Sequence, residues 1–155
     1  MSDLYGTRAD LLPRSMVKVA RAPEGESRLL TWVGRPGVRL LGRQEHLRYE
    51  AASLRLFPQN RDGSIAWTEV PGDLVVHAED EGMHVIGEFL REDGDLVIMW
   101  GSLTIPSVFL RATEAMTRIS EILDVDPVLW MYRAGALLER NFFEGTMTVA
   151  RVLQT

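Results

Sequence analysis

Turn-forming residues punctuate the first hundred positions, and the segments between them are short and apolar-rich, which constrains this part of the chain to a sheet of short strands. The reversals fall at Ala22-Pro23-Glu24-Gly25, Gly34-Arg35-Pro36-Gly37, Pro58-Gln59-Asn60-Arg61-Asp62-Gly63, Pro71-Gly72, Glu79-Asp80-Glu81-Gly82 and Glu92-Asp93-Gly94-Asp95. Met16 to Arg21 reads as a first strand. Residues 28–34 and 38–42 read as a hairpin, because proline and glycine preset the tight turn between them. Residues 47–57 are ambiguous, alternating partly while Ala51-Ala52 would also suit a helix, and the turn-type connection at 58–63 into 64–70 favours a strand.

Residues 73–101 carry the clearest pattern, a three-stranded meander. Leu74, Val76 and Ala78 alternate with Asp73, Val75, His77 and Glu79, and Met83, Val85 and Phe89 alternate with His84, Ile86 and Glu88. Asp93-Gly94 suits a two-residue hairpin turn, with residues 96–100 closing the meander. Centring the first turn on Asp80 and Glu81 places His77 opposite His84, within the short Cβ separation of directly paired residues.

After Gly101 the hydrophobic period changes from two to 3.6. Val108, Phe109, Ala112, Ala115, Met116, Ile119, Ile122 and Leu123 make one apolar stripe, giving a helix over about 105–123 with Thr104 as its N-cap. Asp126-Pro127 reads as the start of a second helix, about 127–141, apolar on nearly every side and therefore buried in the core or paired with a second copy in a homodimer. Residues 146–153 alternate again as a final strand. The expected fold is α+β, an antiparallel sheet of about six to eight strands packed by the two C-terminal helices.

At 155 residues, with 46 % apolar and 25 % charged side chains, the chain is expected to form one domain over 1–155 with an irregular segment at 1–15. It has no cysteine, which excludes disulfides, thiolate metal sites and a cysteine nucleophile. Met1-Ser2-Asp3-Leu4-Tyr5-Gly6 lacks the basic-then-apolar character of a signal peptide, and no run approaches the ~20 apolar residues of a membrane span. A cytoplasmic protein without a membrane partner is expected.

Charge is unevenly laid out. Residues 1–63 hold 11 basic and 7 acidic side chains, whereas residues 64–155 hold 6 and 15. Sixteen of the 17 basic residues are arginine, whose forked guanidinium matches carboxylate and phosphate. Arginines between Arg28 and Arg61 interleave with Trp32, Tyr49 and Phe57, as in single-strand nucleic-acid binders, but a pI near 5.2 argues against nucleic acid.

The acidic tract offers the better candidate site: Glu69, Asp73, Glu79, Asp80, Glu81, Glu92, Asp93 and Asp95 would face a basic protein partner. A small, acidic, cysteine-free chain with a β-meander, helices and no catalytic signature resembles, in type, bacterial immunity and antitoxin-like proteins. That resemblance implies a non-catalytic protein-binding or regulatory module without a cofactor. The alternative is a small-molecule or enzymatic pocket on the sheet face of His77, His84 and Glu88. Glu88 lies too far along its strand from His84 to complete a tight metal site, so none is expected.

Overall fold

The computed structural model describes residues 5–21, 30–34, 37–80 and 83–152, with the side chains of 18–21, 30–34 and 76–80 outside the described set. Its centre is a seven-stranded, wholly antiparallel sheet. In chain order the strands are β1 (Val17–Arg21), β2 (Leu30–Gly34), β3 (Val38–Leu40), β4 (Val75–Asp80), β5 (Asp95–Trp100), β6 (Val108–Arg111), β7 (Val128–Arg133), β8 (Ala136–Asn141) and β9 (Thr146–Arg151). The large sheet runs β3-β6-β5-β7-β8-β9-β4, while β1 and β2 form a separate ribbon. Helices α1 (Arg43–Ala51), α2 (Met83–Phe89), α3 (Ala112–Thr117) and α4 (Ile119–Leu123) complete an α+β architecture.

Both faces of the sheet are covered. Leu96, Ile98, Trp100, Leu129, Met131 and Leu138 pack against Val85 and Ile86 of α2, Ala112 and Ala115 of α3, Ile119 and Ile122 of α4, and the N-terminal Ala9, Leu12 and Met16. On the opposite face Val97, Met99, Trp130, Leu137 and Ala150 meet Leu41, Leu54, Phe57, Ile65 and Val70. Burial of each large aliphatic contributes about 1.5–3 kcal/mol, so both layers hold the sheet. The second layer, residues 41–74, is mostly irregular, with α1 and short 3-10 turns at Leu54–Leu56, Trp67–Glu69 and Gly72–Leu74.

Burial on both faces explains the largest departure from the sequence reading. Residues 127–141 are not a helix but the β7–β8 hairpin, paired from Val128↔Asn141 to Arg133↔Ala136. A strand covered on both sides is a continuous apolar run, which over a few residues cannot be told from a buried helix. The turn at Ala134-Gly135 needs the left-handed backbone that Gly135 supplies at φ 79°. A dimer through a 127–141 helix therefore has no structural basis, since both strands are interior to the sheet.

The pairing of the 73–101 meander is also overturned, although its outer segments are strands, β4 and β5. β4 pairs with β9, and residues 83–89 form α2, so β4 and β5 lie four strands apart. Val85, Ile86 and Leu90 are buried at helical spacing, and Ile86, which the alternating pattern put on the polar side, is the residue that breaks a strand reading. Residues 38–40 pair with β6 and residues 30–34 with β1, so 28–42 is no hairpin. Residues 47–57 are the end of α1 and a 3-10 turn, and 64–70 keep only a Gln59↔Ile65 bridge. The helix expected over 105–123 begins later: Val108 and Leu110 are drawn into β6 by pairing with β3 and β5, and the apolar stripe survives in α3 and α4. Residues 22–25, 35–36 and 81–82, read as turns, lie outside the described residues, while β9 is found at the expected final strand.

Candidate functional site

The layer over the second face is fastened by polar groups as well as apolar ones. Helix α1 buries His46 and Glu50, one turn apart, instead of an aliphatic stripe. His46 Nε2 lies 3.0 Å from Glu50 Oε2, and Nδ1 lies 2.7 Å from Ser107 Oγ in the loop before β6. A carboxylate only accepts, so Nε2 carries the proton and Nδ1 accepts from the Ser107 hydroxyl. Burial pushes the His46 pKa down, and the Glu50 hydrogen bond opposes this without overcoming it. The imidazole is neutral at pH 7. The Tyr5 ring covers one of its faces, with centroids 3.3 Å apart and planes within 17°. Arg55 Nε completes the group, donating to Glu50 Oε1 at 2.8 Å.

Tyr5 is placed by a strap of backbone bonds, Tyr5 N to Leu41 O at 3.2 Å and Arg8 N to Thr104 O at 2.8 Å. Gly6 lies between them with its Cα hard against Thr104 and Pro106, where a Cβ would come within 2.4 Å of Thr104 O.

Ser107, His46 and Glu50 share the composition of a hydrolytic triad, but not its access. The imidazole is bonded to serine and carboxylate as in a triad, but Ser107 is fully buried. A triad presents its hydroxyl to substrate beside an oxyanion pocket. This relay instead joins α1 to the β5–β6 loop.

A second buried acid lies deeper. Glu139 on β8 accepts from Ile65 N at 2.7 Å, Trp130 Nε1 at 2.8 Å and Trp67 Nε1 at 2.8 Å. It is 2 % exposed, and burial raises its pKa against the pull of those three donors. It ties the 58–70 segment to the sheet.

No protein-family model and no curated protein sequence matches this chain.

Beside the His46 relay opens a cleft of about 300 Å³, with Tyr5, Arg55, Gln59 and Arg61 on its polar side and Leu54, Met99, Trp130 and the rim residue Leu103 on its apolar side. Composition made the arginines visible as a group. The cleft itself was not legible, because it joins residues from positions 5, 46–63, 99–103 and 130.

The histidine pair of the alternative reading is not assembled. His77 lies on β4 opposite Val149, its side chain outside the described set, while His84 and Glu88 are exposed on α2, with Glu88 Oε2 3.5 Å from Arg91. The register that put His77 against His84 required a hairpin where α2 stands.

The acidic tract is split by the topology. Four strand spacings separate β4 from β5, about 19 Å at ~4.8 Å each. In the β5 group, Asp93 accepts from Arg111 at 2.9 and 3.2 Å and from Thr113 N at 3.1 Å, capping α3. The Arg111 bond holds the Asp93 pKa down at about 2. Asp95 lies 3.6 Å from the same Arg111, and Glu92 is exposed nearby. Around β4, Glu69 and Asp73 are exposed, Glu79 and Asp80 belong to the strand, and Glu81 lies outside the described residues. The side chains of Glu69 and Asp73 pair with no described cation.

Among the described residues no helix is long and apolar enough to cross a membrane.

Proposed function

We propose that the protein is a non-catalytic protein-binding module for a basic partner, and that contact is made at the β4 edge of the sheet rather than over the whole 69–95 tract. The position of β4 carries this reading. It is a six-residue strand at the sheet margin, with no described strand on its outer side. Glu69 and Asp73 lie exposed in the 3-10 turns that lead into it, and Glu79 and Asp80 are part of it. An open edge offers unpaired N–H and C=O groups to an extended segment of another chain. The acids favour lysine and arginine in that segment and speed encounter. The β5 acids contribute less, because Arg111 pairs with Asp93 and partly offsets Asp95. A binding role also agrees with the closed state of the His46 relay, which has no exposed nucleophile.

The test is charge reversal at the two free acids. Proteins from the native host that are retained on the immobilised protein are purified and titrated singly. The true partner is expected to be basic, to bind one to one, to associate more slowly as sodium chloride rises, and to bind the Glu69→Lys/Asp73→Lys variant at least ten-fold more weakly, while the variant melts as the wild type does. A partner that binds the double variant as tightly as the wild type refutes the β4 edge as the contact.

A further inference from the structure

We infer that the cleft beneath α1 is a binding site for a small molecule that carries a carboxylate or phosphate group on an apolar body. The argument rests on which hydrogen-bonding groups in the cleft are already used. Glu50 has spent both carboxylate oxygens, on His46 and on Arg55. Arg55 has five N–H donors and uses two, Nε to Glu50 at 2.8 Å and one Nη1 proton to Gln59 at 2.7 Å. Arg61 bonds to no described residue. Gln59 gives its carbonyl oxygen to Arg55, which leaves its amide N–H groups facing the same space. The Tyr5 hydroxyl, on a ring fixed against His46, has no described partner either. On the acceptor side, Asp62 is turned to Ser64 through one oxygen, leaving one carboxylate oxygen at the rim.

The unused capacity of the cleft is therefore almost all donor, from Arg61 and the remaining N–H groups of Arg55, whose charge Glu50 already offsets, against one free carboxylate oxygen of Asp62. Such a site favours an anion, and guanidinium donors match the planar or tetrahedral oxyanions of carboxylate and phosphate. The apolar lining from Leu54, Met99 and Trp130 accepts an apolar body, and the volume of about 300 Å³ is at the lower end for small-molecule sites. The ligand is a small one. This site is separate from the β4 edge and does not depend on the partner reading.

Four probes test the inference on the intact protein by tryptophan fluorescence and by the indole and Tyr5 NMR signals: phenyl phosphate, benzoate, inorganic phosphate and benzylamine. Saturable binding of phenyl phosphate or benzoate is expected, the preferred one identifying the anion, with inorganic phosphate weaker because it leaves the apolar wall empty and benzylamine not bound. Arg61→Ala should weaken binding about ten-fold or more. Leu103→Glu, at a rim residue that is 75 % exposed, should abolish it without unfolding the chain. No saturable response to either aryl anion, equal binding of benzylamine, or affinity unchanged in both variants would overturn the inference.

Discussion

Replacing Glu139 tests whether the 58–70 segment is held to the sheet by its carboxylate. In Glu139→Leu, three donors lose their acceptor: Ile65 N–H and Trp130 Nε1 are buried, while Trp67 is partly exposed and can turn to water. An orphaned buried donor costs about 1–3 kcal/mol. Relief of the buried charge and the apolar leucine offset part of this, so the expected loss is about 2–5 kcal/mol. Glu139→Gln is milder. Its carbonyl oxygen, standing in for Oε2, still serves Ile65 and Trp130, and its amide then opposes the Trp67 N–H, for a loss of roughly 1–2 kcal/mol. Because burial raises the Glu139 pKa above 4.5, the folded chain holds more protons than the unfolded one between that value and the folded pKa. The carboxyl's contribution is fully present below about pH 4.5 and declines as pH rises through the folded value. The wild-type advantage over the glutamine variant should shrink over the same window. Urea denaturation followed by tryptophan fluorescence measures all three chains. A leucine variant as stable as the wild type, or less damaging than glutamine, would show that the carboxylate does not fasten the segment.

Three further outcomes follow from the same geometry. The depressed His46 pKa means that the unfolded chain binds the extra proton first, so stability is full above pH 6.5 and is lost as pH falls from there through the folded value; urea midpoints at several pH values should show this slope, and His46→Gln should lack it. Gly6→Ala would put a methyl group 2.4 Å from Thr104 O and 2.5 Å from Pro106 N, both backbone atoms that cannot swing aside; the strap should lift Tyr5 off His46, erase their mutual ring-current shifts, and cost about 1–3 kcal/mol. Arg111→Ala removes the main cause of the low Asp93 pKa, so the Asp93 titration followed by NMR should move from about 2 toward 3.8, with the α3 cap weakened as the acid protonates.

How much of the fold could be read from the sequence depended on whether one face or two of an element is covered. β1 and β9 were visible as strands, and the apolar stripe of α3 and α4 was visible from Ala112 to Ile122. The antiparallel α+β class follows from those turns and periods. β7 lost its alternation because Leu129 and Met131 pack under one layer while Trp130 packs under the other, and in β8 Leu137 and Leu138 likewise face opposite layers, so the hairpin reads as a run of apolar positions broken only by a few polar ones. The left-handed Gly135 between them is the local signal of a turn within the long apolar run. In 83–89 the error ran the other way. Seven residues are few enough for a helix to imitate alternation, and the β4–β9 pairing that displaces the meander joins residues some seventy positions apart, beyond any local pattern.

The candidate site was hidden for a chemical reason. Amphipathic reading assumes that the buried side of a helix is apolar, and α1 buries His46 and Glu50. Such a helix has no apolar stripe to detect, and its partners Ser107 and Tyr5 lie 61 and 41 positions from His46. Each buried polar atom is affordable only because another segment completes it: Ser107 and Glu50 close the imidazole, Arg55 closes Glu50, and Ile65 and two indoles close Glu139. The same closure decides what the site can do. Ser107 at the end of the relay is fully buried and closed to solvent, whereas the groups left over, mainly guanidinium and amide donors on Arg55, Arg61 and Gln59, are the ones proposed to hold an anion, without any change in the relay.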